Sequence, residues 1–257
     1  MGPEADPWLA EFLARTGDGE EAFEAIVRRP SRLVVRAQSP VGPAILKLWD
    51  LSDTRSRIRA SLGRSKGRAE YHALTRLAAF PINVPKVYGY LRLGGRGWRY
   101  EEALWMQDLG PCVGLDGDLH DSAKAGHSAE VKRIDEQLIV LTKGLINAQV
   151  FDNDHRISNL VKSRAGELFR IDFENAQLGA PGPLRAVREG RMIGALVASY
   201  TWMTRYDARL AGEFVEFLLD ELRPSRSVRR VARRNGESEI RCYAERSGFS
   251  LPTDLGL

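Results

Sequence analysis

Three side chains with metal-binding and proton-accepting chemistry stand in a short span. Asp154 and Asn159 lie five positions apart in the polar stretch FDNDHRISNLV, and Asp172 ends the apolar run LFRID thirteen positions further on. Carboxylates and amide carbonyls are hard oxygen donors. At this spacing they match the parts that phosphoryl transfer needs: a base for the attacking hydroxyl, then two ligands for the cation that neutralises the phosphates. Asp and Asn also collect in such segments because they favour turns, so the triplet alone leaves an ordinary loop open.

Two upstream residues bear on the choice. Lys47 lies inside the apolar segment AILKLW, where an ammonium is costly unless it reaches a partner or the strand edge. Glu70 lies in GRAEYHALTRL, whose Tyr71, Leu74 and Leu77 recur at helical spacing. A strand Lys that contacts nucleotide phosphates and is fixed by a helix Glu is a part of kinase sites. A Lys snorkelling from an edge strand and a Glu on a solvated helix face are the plainer alternative for each residue alone. Five residues in the right order, on the right kinds of element, favour the kinase arrangement.

The elements that must position them read as follows. EAIVRR, RLVVRA and PAILKLW form an antiparallel meander. An Arg- and Ser-rich connector leads to the helix that carries Glu70, closed by Pro81, and then to strands VYGYLRL and ALWMQDL joined by a turn at Gly94 and Gly95. Gly110 to Gly126 reads as a Gly- and Asp-rich loop. Beyond it, Ile134, Leu138, Leu141 and Leu145 mark a long helix, NLVKS and LFRIDF a strand pair, and 184–222 mostly helix. The predicted class is α+β, a two-lobed protein-kinase-like fold. Its parts are a helical extension over 1–20, an N-lobe over 21–108 with an antiparallel sheet and one helix, and a mainly helical C-lobe over 109–257.

From Ala44 to Ala176 the chain resembles the lipopolysaccharide core kinases, the Kdo/WaaP family of the protein-kinase-like superfamily. The resemblance runs through ILKLW, GRAEYHALTRL, VPKVYGY, LWMQDLG, NDHRISNLV and LFRIDFENA. It implies a two-lobed fold, ATP, a divalent cation such as Mg2+, and phosphorylation of sugar hydroxyls at the cytoplasmic membrane face. It further implies that Lys47 grips the α and β phosphates, oriented by Glu70. Asp154 is then the base, and Asn159 and Asp172 are the metal ligands. Arg156, two positions after the base, is a candidate to stabilise charge on the transferred phosphoryl. The backbone of Gln107 and Leu109 is expected to face adenine, with Met106 limiting the depth of the pocket.

The chain departs from kinase patterns at three places. Asp152 stands where a His usually precedes the base, Glu174 replaces the Gly of the metal-binding triplet, and no Gly-rich loop separates the first two strands. Ser31 and its neighbouring amides are candidates to cover the phosphates instead. An acceptor of glycan or glycolipid type is expected; a protein kinase, or a nucleotide-binding pseudokinase or scaffold, is the alternative.

At 257 residues and 43% hydrophobic, the chain can build its core without staples, and its two cysteines imply neither a disulfide framework nor a zinc site. A net charge of +4 suits an anionic partner. The Arg-rich segment 223–241 is a candidate for peripheral contact with anionic lipid, while no base-reading motif points to specific nucleic-acid binding. Carboxylates near the N-terminus speak against a signal peptide, so a cytoplasmic location, peripheral at the inner membrane face, is expected.

Overall fold

The computed structural model describes residues 24–29, 31–51, 53–92, 101–179, 182–204 and 207–248. The expected helix over 1–20 and the turn at Gly94 and Gly95 lie outside them. The chain forms two compact units, Met1–Thr75 with Pro85–Gly110, and Arg76–Val84 with Pro111–Leu257.

In the first unit the meander is β1 (Glu24–Arg29), β2 (Arg32–Ser39) and β3 (Gly42–Trp49). Strands β4 (Val87–Arg92) and β5 (Glu102–Gln107) complete an antiparallel sheet of order β1-β2-β3-β5-β4. Alternation decides which side chains share a face: Leu33, Val35, Leu46, Leu48, Ala103 and Trp105 form one apolar layer. Lys47 belongs to the opposite face, in register with Val34 on β2 and Leu104 on β5. Helix α1 (Thr54–Ser61) occupies the connector, where Asp53 caps its first turn by accepting from the Ser56 N–H at 2.9 Å. Helix α2 (Lys66–Leu77) carries Glu70 and buries Ala73, Leu74 and Leu77.

The second unit is mainly helical. The Gly- and Asp-rich segment expected as a loop is largely a helix, α3 (Leu115–Ala125), preceded by the short strand β6 (Val113–Gly114). Asp116 and Asp118 favour its first turn, and Gly126 ends it in the left-handed conformation at φ 72°. Helix α4 (Ser128–Asn147) presents the predicted stripe of Ile134, Leu138, Leu141 and Leu145 to the core. Then come β7 (Val150–Asp152), a 3-10 turn (Ile157–Asn159), β8 (Leu160–Lys162), β9 (Leu168–Arg170) and β10 (Ala176–Leu178). Strand β7 pairs with β10, and β6, β8 and β9 form a second small sheet. Helices α5 (Gly182–Met203), α6 (Ala208–Leu222) and α7 (Arg226–Ser247) follow. Ile157, Leu160, Leu196, Tyr200, Phe214 and Ile240 join these elements in one core. Among the described residues, no helix is long and apolar enough to cross a membrane.

Candidate active site

In the first unit, Lys47 and Glu70 meet, with Nζ 2.8 Å from Oε1 and side chains only 10% and 1% exposed. A pair this deep is held as much by what breaking it costs as by its attraction, because removing either partner strands a buried charge. Met106 is buried on β5 opposite Ile45 and Val87. The Gln107 N–H donates to the Lys86 carbonyl at 2.8 Å. Leu109 follows in a stretch pinned by Asp108. One Asp108 oxygen accepts from Arg36 Nε at 2.6 Å, and the other from the Gly110 N–H at 2.9 Å. Ser31 is exposed, and its carbonyl accepts from the Asp50 N–H at 3.0 Å.

In the second unit, the loop after β7 brings Asp154, Arg156 and Asn159 together. Asn159 Nδ2 donates to the Asp154 carbonyl at 2.8 Å and to Asp154 Oδ2 at 3.2 Å. That use of the amide nitrogen turns the amide oxygen of Asn159 to other partners. The Ile171 N–H donates to the Asn159 carbonyl at 3.0 Å and so holds the chain entering Asp172 against the loop. Asp172 has φ 64°, a left-handed backbone that a non-glycine residue adopts only where the surroundings enforce it. Glu174 is buried nearby in sequence, on the approach to β10.

Arg156 Nε lies 3.1 Å from Asp154 Oδ1, a charge contact that is out of line for a hydrogen bond. Its Nη2 donates to Glu239 on α7 at 2.9 Å, and its guanidinium lies 6.0 Å from the centre of the Tyr243 ring. His155 is fully buried, with Nε2 3.1 Å from the Thr142 hydroxyl, and burial pushes its pKa down to about 3. It stays neutral and serves packing.

The unusual Asp152 has a specific partner in Arg170. Both side chains are 0% exposed, and Arg170 Nη2 donates to Asp152 Oδ2 at 2.6 Å. The other Asp152 oxygen accepts from the Asp154 N–H at 2.9 Å. Burial raises the Asp152 pKa from its ordinary value, and the Arg170 charge works against that rise. Arg170 also donates to the carbonyls of Asp154 at 3.0 Å and Asn159 at 3.1 Å, and to that of Ile171. One guanidinium therefore ties down both ends of the loop. Sequence reasoning passed over Arg170 because it sits in LFRID as an outward position on a short strand would. Glu239 and Tyr243 were passed over because nothing in their local sequence links them to a loop far upstream.

The donor set suits a small hard cation: a carboxylate on Asp172 and an amide oxygen on Asn159 are the ligand types that magnesium takes, leaving room for phosphate oxygens and water. The fit rests on atom types and on Asn159 having committed its nitrogen elsewhere.

No family model matches the chain, and no curated protein matches it in sequence. Among solved structures, one described as WaaP in complex with acyl carrier protein has a TM-score of 0.60 and 18% identity, and the match covers 94% of this chain and 95% of that one. The chain thus has the kinase-like fold of a WaaP structure over nearly its whole length.

Proposed function

Starting from that shared fold, we propose that the protein is an ATP-dependent kinase that phosphorylates a hydroxyl of a glycan or lipopolysaccharide-core glycolipid. The observation that carries the reading is the loop Asp154–Asn159 held against the chain entering Asp172, with the three groups in the order that phosphoryl transfer uses. The buried Lys47–Glu70 pair supports it independently. In this reading Lys47 takes the α and β phosphates, Glu70 keeps its ammonium in place, the backbone of Gln107 and Leu109 faces adenine, and Met106 limits the depth of the pocket. Asn159 and Asp172 hold Mg2+, which when bound neutralises the phosphates. Asp154 accepts the proton of the attacking hydroxyl, with Asn159 fixing its orientation. Arg156 donates to Glu239 through Nη2, and its guanidinium charge is available to the transferred phosphoryl.

A glycolipid acceptor places the protein at the cytoplasmic face of a membrane. Arg226, Arg229, Arg230, Arg233 and Arg234 are all exposed on α7 and form no ion pair among the described residues, which suits anionic headgroups.

A magnesium-dependent ATP thermal-shift titration tests the reading, because a ligand that binds only the native state must raise its apparent stability. The wild type is expected to show a shift that needs Mg2+ and that Asp172→Ala loses. Asp154→Ala keeps the shift and loses transfer. A wild type with no shift, or one equally large without Mg2+, overturns the assignment.

A further inference from the structure

Helices α5 and α7 meet backbone to backbone. A Cβ built on Gly194 would lie 2.5 Å from the Ala232 carbonyl oxygen and 3.0 Å from the Gly236 nitrogen. One built on Gly190, a turn earlier, would lie 2.8 Å from the Val228 carbonyl oxygen. Neither space admits a side chain, so the small residues on α5 set how closely α7 approaches. That approach brings the C-terminal half of α7 to the catalytic loop, where Glu239 and Tyr243 receive Arg156.

Arg156 is the link between the two. It is a long side chain with several rotatable bonds, and left to solvent it would sample many rotamers. Here it is fixed at three points: the Asp154 carboxylate, the Glu239 carboxylate and the Tyr243 ring. Asn159 holds the other oxygen of Asp154. The Asp154 carboxylate is thus braced from both sides, once from within the loop and once, through Arg156, from α7.

We propose that Glu239 is a positioning residue for phosphoryl transfer, acting through Arg156 to hold Asp154 in line, so that α7 forms part of the active site. This deepens the kinase reading above and rests on it. Its role differs from that of the exposed arginines earlier on α7, which face solvent. Tyr243 supports the same guanidinium from its flat side.

The experiment is a double-mutant cycle on Glu239→Gln and Arg156→Ala in the full-length protein, read by steady-state release of ADP from Mg·ATP with water as acceptor. Binding of Mg·ATP is measured in parallel by calorimetry. Glu239→Gln is expected to lower kcat by about tenfold, the loss of one charge-assisted hydrogen bond, with KM and the calorimetric affinity for ATP unchanged. In the Arg156→Ala background the same substitution is expected to have no further effect, because the residue it acts through has gone. Tyr243→Leu, which leaves Glu239 in place, is expected to show the same pattern at smaller size and covers the case in which Glu239→Gln fails to fold. An unchanged kcat in Glu239→Gln overturns the inference, as does an equal further loss in the Arg156→Ala background, which would mean a packing role independent of Arg156. A wild type that binds no Mg·ATP removes the kinase reading and this inference with it. A wild type that turns over but ignores both substitutions removes this inference alone.

Discussion

Replacing Arg170 with Met tests the account of the Asp154–Asn159 loop most directly. The side chain is fully buried, as is its partner Asp152, so the substitution leaves a carboxylate in a dry place with only the Asp154 N–H to satisfy it. It also removes donors from the carbonyls of Asp154, Asn159 and Ile171. Breaking a buried pair by deleting one partner costs roughly 3–5 kcal/mol. For a chain of this size that amounts to a fall in melting temperature of roughly 6–20 °C. The assay is urea unfolding followed by circular dichroism, with the slope checked so that the midpoint can be read as stability. The double variant Asp152→Asn/Arg170→Met should recover part of the loss, because an amide can still accept the Asp154 N–H and no charge is stranded. An Arg170→Met variant within about 1 kcal/mol of the wild type would refute the clamp, since that is the range of an exposed pair. Additive losses in the double variant would refute the coupling.

Two further predictions concern the helices of the second unit. Gly194→Ala should destabilise by about 1–3 kcal/mol, because its Cβ meets a backbone carbonyl that can yield only if α7 moves. Gly212→Ala, within α6 and with nothing inside 4 Å of its Cβ, should instead stabilise by about 0.5–1 kcal/mol; thermal unfolding of both variants checks the contrast. Asp135 on α4 accepts from the Tyr200 hydroxyl at 2.6 Å, and burial, with smaller contributions from Glu213 and Glu136, raises its pKa to about 7. The native state therefore keeps a proton that the unfolded chain releases near pH 4, so this group lowers stability as pH rises from about 4 to 7 and adds no further loss above that. Asp135→Asn should remove that slope. Parallel pH–stability curves for variant and wild type would show the reasoning to be wrong.

Much of the first unit was legible in the sequence because its signals are local. Short apolar runs bounded by Pro and Gly mark β2 and β3, and a Lys inside such a strand calls for a carboxylate, which Glu70 supplies at 2.8 Å. Helices α1 and α3 were not legible for the opposite reason. Helix α1 buries Ala60 while Ile58 remains exposed, so it shows little apolar periodicity. Helix α3 carries Gly117 and two aspartates near its start, which read as loop residues, yet its Leu115 and Leu119 are fully buried. The triplet Asp154, Asn159 and Asp172 could be picked out by residue type and spacing. What holds it could not, because Arg170 and Glu239 act through tertiary contacts.

The distance along the chain between Arg156 and Glu239 also bears on how the protein is made. They are separated by 83 residues, and α7 is the last element of the described chain to leave the ribosome. At an ordinary translation rate of about 5–20 residues per second, the loop waits several seconds for the helix that completes it. Once α5 has been made, its glycine-bearing face lacks the α7 backbone it packs against until that helix follows. The brace on Asp154 through Arg156 therefore forms only after α7 has been made, well after the loop itself.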